Sequence, residues 1–335
     1  MITADYNNAR YRPGQAGGHY ESFWLRANHP SRPLAFWIRY TLFSPHQRPQ
    51  DAIGELWAIW SDGEAGRLTA VKREVPISLC RFAPDRFDVT VSDARLQPGH
   101  LNGWAETKDR RIEWDLHYGD GEQPLFHLPR RLYDAALPKA KSLVGVPLAV
   151  FNGTITVNGE RMRIDSWVGS QNHNWGSKHT DHYAYGQVAG FDNAPDSFLE
   201  IATARLKLGP LWTPFMTPLV LRHHDHEFTL NALGRALRAK ASFNYFDWQF
   251  AAEDDTVSIK GRIHAPAKAF VGLKYYNPPG GSKCCLNSKI AACELTVIDR
   301  RPGHNSVPQL LKTAHRAAFE ILTDDFSTHG VEVRA

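Results

Sequence analysis

The sequence lacks the signatures of the common cofactor-dependent enzymes. It contains no G-x-G-x-x-G, no G-x-x-x-x-G-K-[ST], no G-x-S-x-G and no H-E-x-x-H. These motifs hold dinucleotides, nucleoside triphosphates, a nucleophilic serine and zinc, respectively. Their absence argues against nucleotide-dependent chemistry and against an α/β-hydrolase. We therefore expect no cofactor and no metal ion.

Cysteine, clustered charge and long apolar runs are also scarce. The 335 residues include 4 cysteines. The net charge of the chain is +4, and its charged residues form no block of one sign. Such a chain has neither a disulfide framework nor the basic footprint of a nucleic-acid-binding protein. It has no apolar run of about 18 residues that could span a membrane, and residues 1–14 lack the pattern of a signal peptide. We expect a cytoplasmic protein without an integral membrane span or nucleic-acid partner, for which peripheral contact with a membrane stays open.

Aromatic residues are abundant, with 10 Trp, 11 Tyr and 17 Phe. They fall in short runs separated by turns, such as LAFWIRYTLF at 34–43, and residues 111–118 alternate apolar and polar side chains as a strand does. In GTITVNGERMRID, Asn158 and Gly159 predict a two-residue type I′ hairpin. The pattern predicts an all-β protein with one or two short helices, at 231–241 and 307–316. Two tandem antiparallel barrels or sandwiches fit it best.

The predicted organisation has four parts. A polar, Gly- and Pro-containing arm covers residues 1–17, and a first β-barrel domain covers 18–208. Residues 209–218 (GPLWTPFMTP) carry three prolines and read as a linker, and a second β-barrel domain covers 219–335.

The densest polar and aromatic segment is residues 165–190, which holds His173, His179 and His182. Two interpretations stay open. The histidines are surface residues of a polar strand-turn-strand unit, or at least His173 faces a ligand as an acid or base near neutral pH. Their spacing matches no known zinc pattern, and the HHDH run at 223–226 fits a polar hairpin tip. The sequence therefore predicts no metal site.

Charged residues interrupt several otherwise apolar strands, and in a barrel most of them would face solvent. They are Glu21, Arg26, Arg39, Glu55, Glu113, Asp115 and Glu200. Glu55 stands out because AIGELWAIW is apolar on both faces. A carboxylate in an apolar cavity is costly unless it is paired or neutralised, so it usually has a function. We interpret Glu55 as an inward-facing functional residue, with Arg39 as its candidate partner.

Two segments resemble a known superfamily of tandem lipocalin-like proteins, which includes carotenoid 1,2-hydratase (hydroxyneurosporene synthase), tocopherol cyclase and fungal Diels–Alderases. QNHNWG, followed by an aromatic strand and SFLEIA, resembles its D-H-x-W-G-type turn through His173, Trp175 and Gly176, with Asn172 in place of the Asp. YYNPPGGSKCCLNSKIAACEL resembles its Y-x-x-P-x-G-…-C-x-N-S segment, through Tyr276, Pro279, Cys285, Asn287 and Ser288. The resemblance covers most of the chain from about residue 18.

The resemblance implies two tandem lipocalin-like β-barrels, a hydrophobic ligand in or between them, and chemistry without metal, nucleotide or flavin. In the hydratases, the matching His and a nearby acid are thought to protonate a double bond. Here His173 matches, but the strand that should carry the acid reads YAYGQ at 183–187. Because a tyrosine such as Tyr185 is too weak an acid for an isolated alkene, Glu55 or Glu200 would have to substitute.

We therefore expect a cofactor-independent enzyme that hydrates, cyclises or isomerises a polyene, isoprenoid or polyketide of secondary metabolism. The candidate catalytic residues are His173, Glu55 and Tyr185. The candidate substrate-binding residues, whose aromatic members would wall an apolar pocket and stabilise a carbocation, are Trp175, Trp57, Arg39, Gln187, Asn172 and Glu200. The alternative is a non-catalytic carrier of a hydrophobic ligand, which needs no perturbed acid or base facing that ligand.

Overall fold

The computed structural model describes residues 5–304 and 306–335, and it is 61% strand and 5% helix. The all-β prediction is confirmed. The first twelve strands are β1 (His19–Asn28), β2 (Leu34–Ser44), β3 (Ile53–Asp62), β4 (Arg67–Pro76), β5 (Cys80–Phe82), β6 (Val89–Val91), β7 (Ala94–Gln97), β8 (His100–Thr107), β9 (Arg110–Gly119), β10 (Leu125–Phe126), β11 (Ala140–Val157) and β12 (Glu160–Gly176).

The second half of the chain also consists mainly of antiparallel strands. Its strands are β13 (His182–Phe191), β14 (Ala194–Arg205), β15 (Lys207–Leu208), β16 (Leu211–Trp212), β17 (Leu219–His223), β18 (His226–Thr229), β19 (Lys240–Phe243), β20 (Asp247–Glu253), β21 (Val257–His264), β22 (Val271–Tyr276), β23 (Ser282–Asp299) and β24 (Gln309–Thr323). The helix α1 (Leu233–Arg238) joins β18 to β19, and short 3-10 turns lie at Pro49–Asp51, Ile77–Leu79, Arg130–Leu132 and Ala267–Ala269.

The strands form two large sheets. The first has the order β4-β3-β2-β1-β12-β11-β9-β8-β7-β6-β5, with β10 beside β11, and curls into a nearly closed barrel. The second has the order β18-β17-β14-β13-β24-β23-β21-β20-β19, with β22 beside β23, and forms a half-barrel. Each sheet encloses its own apolar core, which is rich in aromatic rings such as Phe36 and Trp114 in the first and Trp248 and Phe319 in the second.

The chain passes from the first sheet to the second at residues 177–181, between β12 and β13. The predicted linker at 209–218 connects β15 to β17, and its residues Leu211–Trp212 form β16, which pairs with β15 in a separate two-stranded sheet. Its prolines indicate a break in the sheet ladder, and such breaks occur within a domain as well as between domains. Within residues 182–208, which were predicted to end the first domain, β13 and β14 therefore pair in the second sheet, and β15 pairs with β16.

Local predictions had mixed outcomes. The turn at Asn158 and Gly159 is confirmed, with φ of 51° and 86°, both in the left-handed region that a type I′ turn needs. The helix predicted at 231–241 is α1. The helix predicted at 307–316 is wrong, because residues 309–323 form β24 and pair with both β13 and β23.

None of the described helices has the length and apolar character that a membrane crossing requires.

The outer faces of the two sheets pack against each other. Along β1, Phe23 and Leu25 point into the first barrel core, and the alternating residues Trp24 and Arg26 point out of it. Opposite them, β13 directs Val188 into the second core and Gln187 toward the first sheet. We call the contact between these two outward surfaces the inter-sheet face.

Candidate active site between the two sheets

The alternation of strand side chains divides the candidate residues into two groups. On β12, His173 points into the first barrel, whereas its neighbour Asn172 points to the inter-sheet face. Trp175 lies on the same side as His173. The others, which line the inter-sheet face, are Arg39, Glu55, Trp57, Asn172, Tyr185, Gln187 and Glu200.

His173 is fully buried in an ion pair at one end of the first barrel. Its Nε2 lies 2.8 Å from Oε1 of Glu21, and its Nδ1 lies 2.9 Å from the carbonyl oxygen of Tyr6. Both partners are oxygen atoms that accept hydrogen bonds, so each ring nitrogen faces an acceptor. Glu21 also accepts hydrogen bonds from the backbone N–H groups of Arg10 and Tyr11.

The pKa of Glu21 shows how strongly this arrangement favours the carboxylate. Burial opposes ionisation of Glu21, but hydrogen bonds from His173 and His19 outweigh it and lower the pKa to about 2. Because Arg10 and Tyr11 belong to the N-terminal arm, the ion pair fastens this arm to β1 and β12. The phenyl ring of Phe23 stacks on His173 at 4.1 Å and completes its enclosure.

Trp175 borders an open pocket of about 480 Å³ outside this ion pair. The pocket is lined by Arg10, Arg12, Gln15, Tyr133, Asp134 and Trp175. The Arg10 guanidinium lies 5.4 Å from the Trp175 ring centroid. The volume is in the range of ligand pockets. However, most of the lining residues have charged or amide side chains. The pocket therefore differs from the apolar pocket that the sequence predicts around Trp175.

The inter-sheet face has a hydrogen-bonded carboxyl group at its centre, that of Glu200 on β14. Gln187 donates to Glu200 Oε2 at 2.9 Å, and the Tyr185 hydroxyl donates to the same oxygen at 3.1 Å. Gln187 also donates to Asn172 Oδ1 at 2.8 Å, which connects the cluster to β12 of the first sheet. Four of the predicted residues are therefore joined in one network.

Burial governs the protonation of Glu200. Its side chain is 2% exposed. Burial raises the pKa of Glu200 to about 8, against the opposing effects of the hydrogen bonds from Gln187 and Tyr185 and of the charge of Arg26. Glu200 is therefore mostly a neutral carboxylic acid at pH 7.

Two buried cations accompany Glu200. The guanidinium of Arg26 donates to Gln187 Oε1, to the Arg316 carbonyl oxygen and to Asn28 Oδ1. Lys289 is fully buried and pairs with Glu320 at 2.5 Å. The sequence includes Arg26 among charged residues on apolar strands, but Lys289 and Glu320 were missed. Their signal was available, since each is a charged residue within a long apolar strand.

Several polar atoms of this face make no hydrogen bond to any described protein group. They are Arg26 Nε, Trp37 Nε1, Arg39 Nε and Asn287 Oδ1. Buried polar groups are nearly always paired, so these atoms are available for hydrogen bonds to water or to a bound molecule.

Glu55 and Arg39 lie at one end of the inter-sheet face. Glu55 is 4% exposed, as the sequence predicts for a buried carboxylate, but its partner is Lys72 at 2.7 Å rather than Arg39. Arg39 instead donates to Ser22 Oγ at 2.6 Å and lies 4.5 Å from the ring centroid of Tyr275. Trp57 donates to Glu55 Oε2 at 3.3 Å. Glu55 points out of the first barrel, because it shares a face of β3 with Trp57.

The cavity at this end of the face is small. Its volume is about 10 Å³, and it is lined by Tyr20, Arg39, Thr41, Phe43, Glu55, His179, Tyr275 and Tyr276. This volume holds roughly one water molecule. A larger ligand would require these side chains to move.

The histidine-rich segments do not converge. His179 stacks on Tyr20 and His182 bonds the Leu322 carbonyl oxygen, and neither contacts the His173 pair. Among described residues, the group with metal-ligand spacing is His100, Asp115 and His117, whose ligand atoms lie within 4.8 Å on the exposed outer face of β8 and β9. These three residues were not predicted as a group from the sequence.

Comparison with known proteins supports the fold. No family model matches the chain. The uncharacterized proteins MT0513 and Rv0493c of two Mycobacterium tuberculosis strains are 25% identical to it over 279 residues, which is 82% of this chain and 80% of theirs.

Solved structures match nearly the whole chain. A putative AttH from Nitrosomonas europaea aligns with a TM-score of 0.59 and 13% identity over 94% of this chain and 98% of that one. Kievitone hydratase from Nectria haematococca aligns with a TM-score of 0.56 and 12% identity, over 96% of this chain and 92% of that one. The structure of CghA with Sch210972 aligns with a TM-score of 0.54 and 11% identity, over 95% of this chain and 96% of that one. The chain therefore has the same fold of two barrel-like sheets as these three proteins.

Proposed function

We propose that this protein is a cofactor-independent enzyme that protonates a lipophilic alkene or polyene at the inter-sheet face, with Glu200 as the acid. The observation that carries the proposal is the placement of Glu200. Its carboxyl group is buried between two sheets, and both of its hydrogen bonds end on Oε2. Oε1 is therefore the oxygen that can present a proton to a substrate.

The chemistry requires an acid that is neutral near pH 7 and shielded from water. A buried carboxylic acid with a raised pKa meets this requirement, as it does in enzymes that use Glu as a general acid. In a hydration, the Glu200 proton would pass to one alkene carbon, water would add to the resulting carbocation, and the oxonium proton would return to the carboxylate. In an isomerisation or cyclisation, a proton lost from the substrate would restore the acid.

Aromatic rings on the inter-sheet face would stabilise a cationic intermediate formed at Glu200, against the opposing charge of Arg26. Trp24 contacts Tyr185 edge to face at 6.2 Å, and Trp37 and Trp57 lie on the same face. Aromatic faces attract carbocations, as they attract other cations. Kievitone hydratase and CghA, whose structures have the same fold, are a hydratase and a Diels–Alderase, which favours an enzyme over a carrier.

This proposal changes the roles that the sequence suggested. Glu200 becomes the acid, and Tyr185, Gln187 and Asn172 position it. His173 lies on the opposite side of β12 and anchors the N-terminal arm, so it does not touch a substrate at the inter-sheet face. Glu55, paired with Lys72, contributes to the boundary of the site rather than to proton transfer.

The test compares the wild type with Glu200→Gln. Each freshly purified protein is analysed by native mass spectrometry, bound lipophiles are extracted into solvent, and the extract from Glu200→Gln is incubated with wild-type enzyme in water labelled with oxygen-18. We expect the variant to retain an alkene that the wild type converts, and a hydration product to carry the label. Glu113→Gln, an exposed glutamate on β9, is the matched control and should behave as wild type.

The outcome separates the enzyme from the carrier. If both proteins bind the same molecule and the wild type leaves it unchanged, the protein is a carrier and the catalytic proposal is wrong. If Glu200→Gln converts the molecule at the wild-type rate, the enzyme is real but Glu200 is not its acid.

A further inference from the structure

The β15–β16 hairpin has an apolar tip that faces solvent. Leu208 is 60% exposed and Leu211 is 71% exposed, on either side of a Gly209–Pro210 turn. Trp212 and Phe215 follow with 40% and 38% of their surfaces exposed. A single exposed leucine is ordinary, but four large apolar side chains at one hairpin need an explanation.

Helix α1 extends this apolar surface. The backbone N–H of Thr217, just after the hairpin, donates to the Ala236 carbonyl oxygen at 2.9 Å and holds the helix beside the hairpin. Ala236 is buried, whereas Leu233 and Leu237 are 59% and 44% exposed. Six of the eleven exposed large apolar residues in the described part of the chain thus lie between residues 208 and 237. We call Leu208, Leu211, Trp212, Phe215, Leu233 and Leu237 the apolar ridge.

Basic side chains border the apolar ridge. The Arg205 guanidinium lies 4.3 Å from the Trp212 ring centroid and 4.9 Å from that of Phe215, and Lys207 lies 5.9 Å from Trp212. Arg238 ends α1, and Lys240 follows it at the start of β19; both are exposed. Within the described residues these four cations form no ion pair.

Most acidic residues close to the ridge are already neutralised. Asp254 pairs with Arg235 of α1, and Asp181 pairs with Lys178, whereas Asp255 forms no ion pair with a described residue. Asp225 and Glu227 lie at the far end of the β17–β18 hairpin, where Glu227 pairs with Arg222. The net charge around the apolar ridge is therefore positive.

We propose that the apolar ridge and its basic border dock the protein on the surface of an anionic lipid bilayer. Apolar side chains that enter the interface, together with Lys and Arg that meet anionic headgroups, are the two components of peripheral membrane binding. A second copy of the chain fits less well, because a symmetric contact would bring unpaired cations together. The inference goes beyond the proposed activity, since a carrier of a lipophilic ligand would use the same surface.

The test is co-sedimentation of the full-length protein with vesicles of phosphatidylcholine, with and without phosphatidylserine. We expect the wild type to sediment with the phosphatidylserine vesicles and much less with pure phosphatidylcholine. The triple variant Lys207→Glu, Arg238→Glu, Lys240→Glu should lose on the order of 100-fold in vesicle affinity, since each basic residue at an anionic surface contributes about a factor of five. Leu208→Ser, Leu211→Ser, Trp212→Ser should also abolish sedimentation.

The matched control replaces three exposed leucines outside the apolar ridge, as Leu79→Ser, Leu137→Ser, Leu310→Ser. It should sediment as the wild type does. Circular dichroism establishes that each variant is folded. Two results would overturn the proposal: equal wild-type sedimentation with both vesicle types, or no sedimentation together with a dimer that Leu208→Ser, Leu211→Ser, Trp212→Ser dissociates in analytical ultracentrifugation. Neither result depends on enzymatic turnover, so this experiment tests membrane binding independently of the proposed function.

Discussion

Replacing Glu21 by Gln should expose the energetic importance of the buried ion pair with His173. The carboxylate is fully buried and is hydrogen-bonded to His173, to His19 and to two backbone N–H groups. Removing one partner of a buried ion pair costs about 3 to 5 kcal/mol, because the other charge loses its compensation.

The pKa gives a second route to the magnitude. The pKa of Glu21 falls from 4.5 to about 2 on folding. At about 1.4 kcal/mol for each pKa unit, the folded state gains about 3 kcal/mol at neutral pH. The folded pKa is the lower one, so this stability is fully present above pH 4.5 and is lost as the pH falls toward 2. By pH 3.5, about 1 kcal/mol of it should be gone.

The assay is urea unfolding of the wild type and Glu21→Gln, followed by circular dichroism from pH 7 to pH 3.5. We expect a difference of about 3 kcal/mol at pH 7 that narrows below pH 4.5. Trypsin should also cleave the variant faster after Arg10, because the arm loses its anchor. Glu113→Gln should change stability by less than about 0.5 kcal/mol. A Glu21→Gln effect under about 1 kcal/mol, or one that stays constant across this pH range, would refute the reasoning.

Three further outcomes follow from the buried ionisable groups. If Glu200 is the acid, turnover of the substrate extracted from the variant should fall as the pH rises above about 8, and a flat pH–rate profile between pH 6 and pH 9 would contradict this. Glu200→Gln should also stabilise the fold more at pH 8 than at pH 5, because burial of the ionised carboxylate is unfavourable. Lys289→Met should destabilise the fold by about 3 kcal/mol or more, and Lys289→Met with Glu320→Gln by less, in a double-mutant cycle of urea unfolding; additive effects would argue against the pair. Burial raises the pKa of the Cys285 and Cys293 thiols, so iodoacetamide at pH 7 should alkylate them only in urea; mass spectrometry showing rapid native labelling would contradict their burial.

The sequence was informative about elements and less so about their partners. Alternating patterns and turn residues predicted most strands, the Asn158–Gly159 hairpin and the all-β class. The strand β24 was predicted in part as a helix, since its apolar residues at 307–316 fit either period. Its pairing with β13 and β23 decides the matter, and such long-range pairing is not visible in a local pattern.

The division between the sheets shows the same difficulty. A proline-rich stretch at 209–218 was a stronger local signal than the short connection at 177–181, yet β13 and β14 belong to the second sheet. Prolines report where a strand ladder stops, and they carry no information about which sheet the next strand joins.

For the candidate site, the sequence supplied residues but not directions. Asn172 and His173 are neighbours with opposite orientations, and only the positions of both sheets reveal which face is the barrel interior. The Glu200 network depends on the β13–β14 register, in which Gln187 lies opposite Glu200. Lys289 and Glu320 come together from β23 and β24, 31 positions apart, so no local motif joins them.

The two faces of β12 have a consequence for regulation. One face holds the N-terminal arm through His173, and the other contacts the Glu200 network through Asn172. A ligand that displaces β12 as it enters the inter-sheet face would also alter the hydrogen bonds through which His173 holds the N-terminal arm. Thermodynamic coupling is reciprocal, so release of the arm would alter ligand affinity to the same degree. The docked arm and a ligand at the inter-sheet face would therefore be coupled through the two sides of one strand, β12, without sharing a residue.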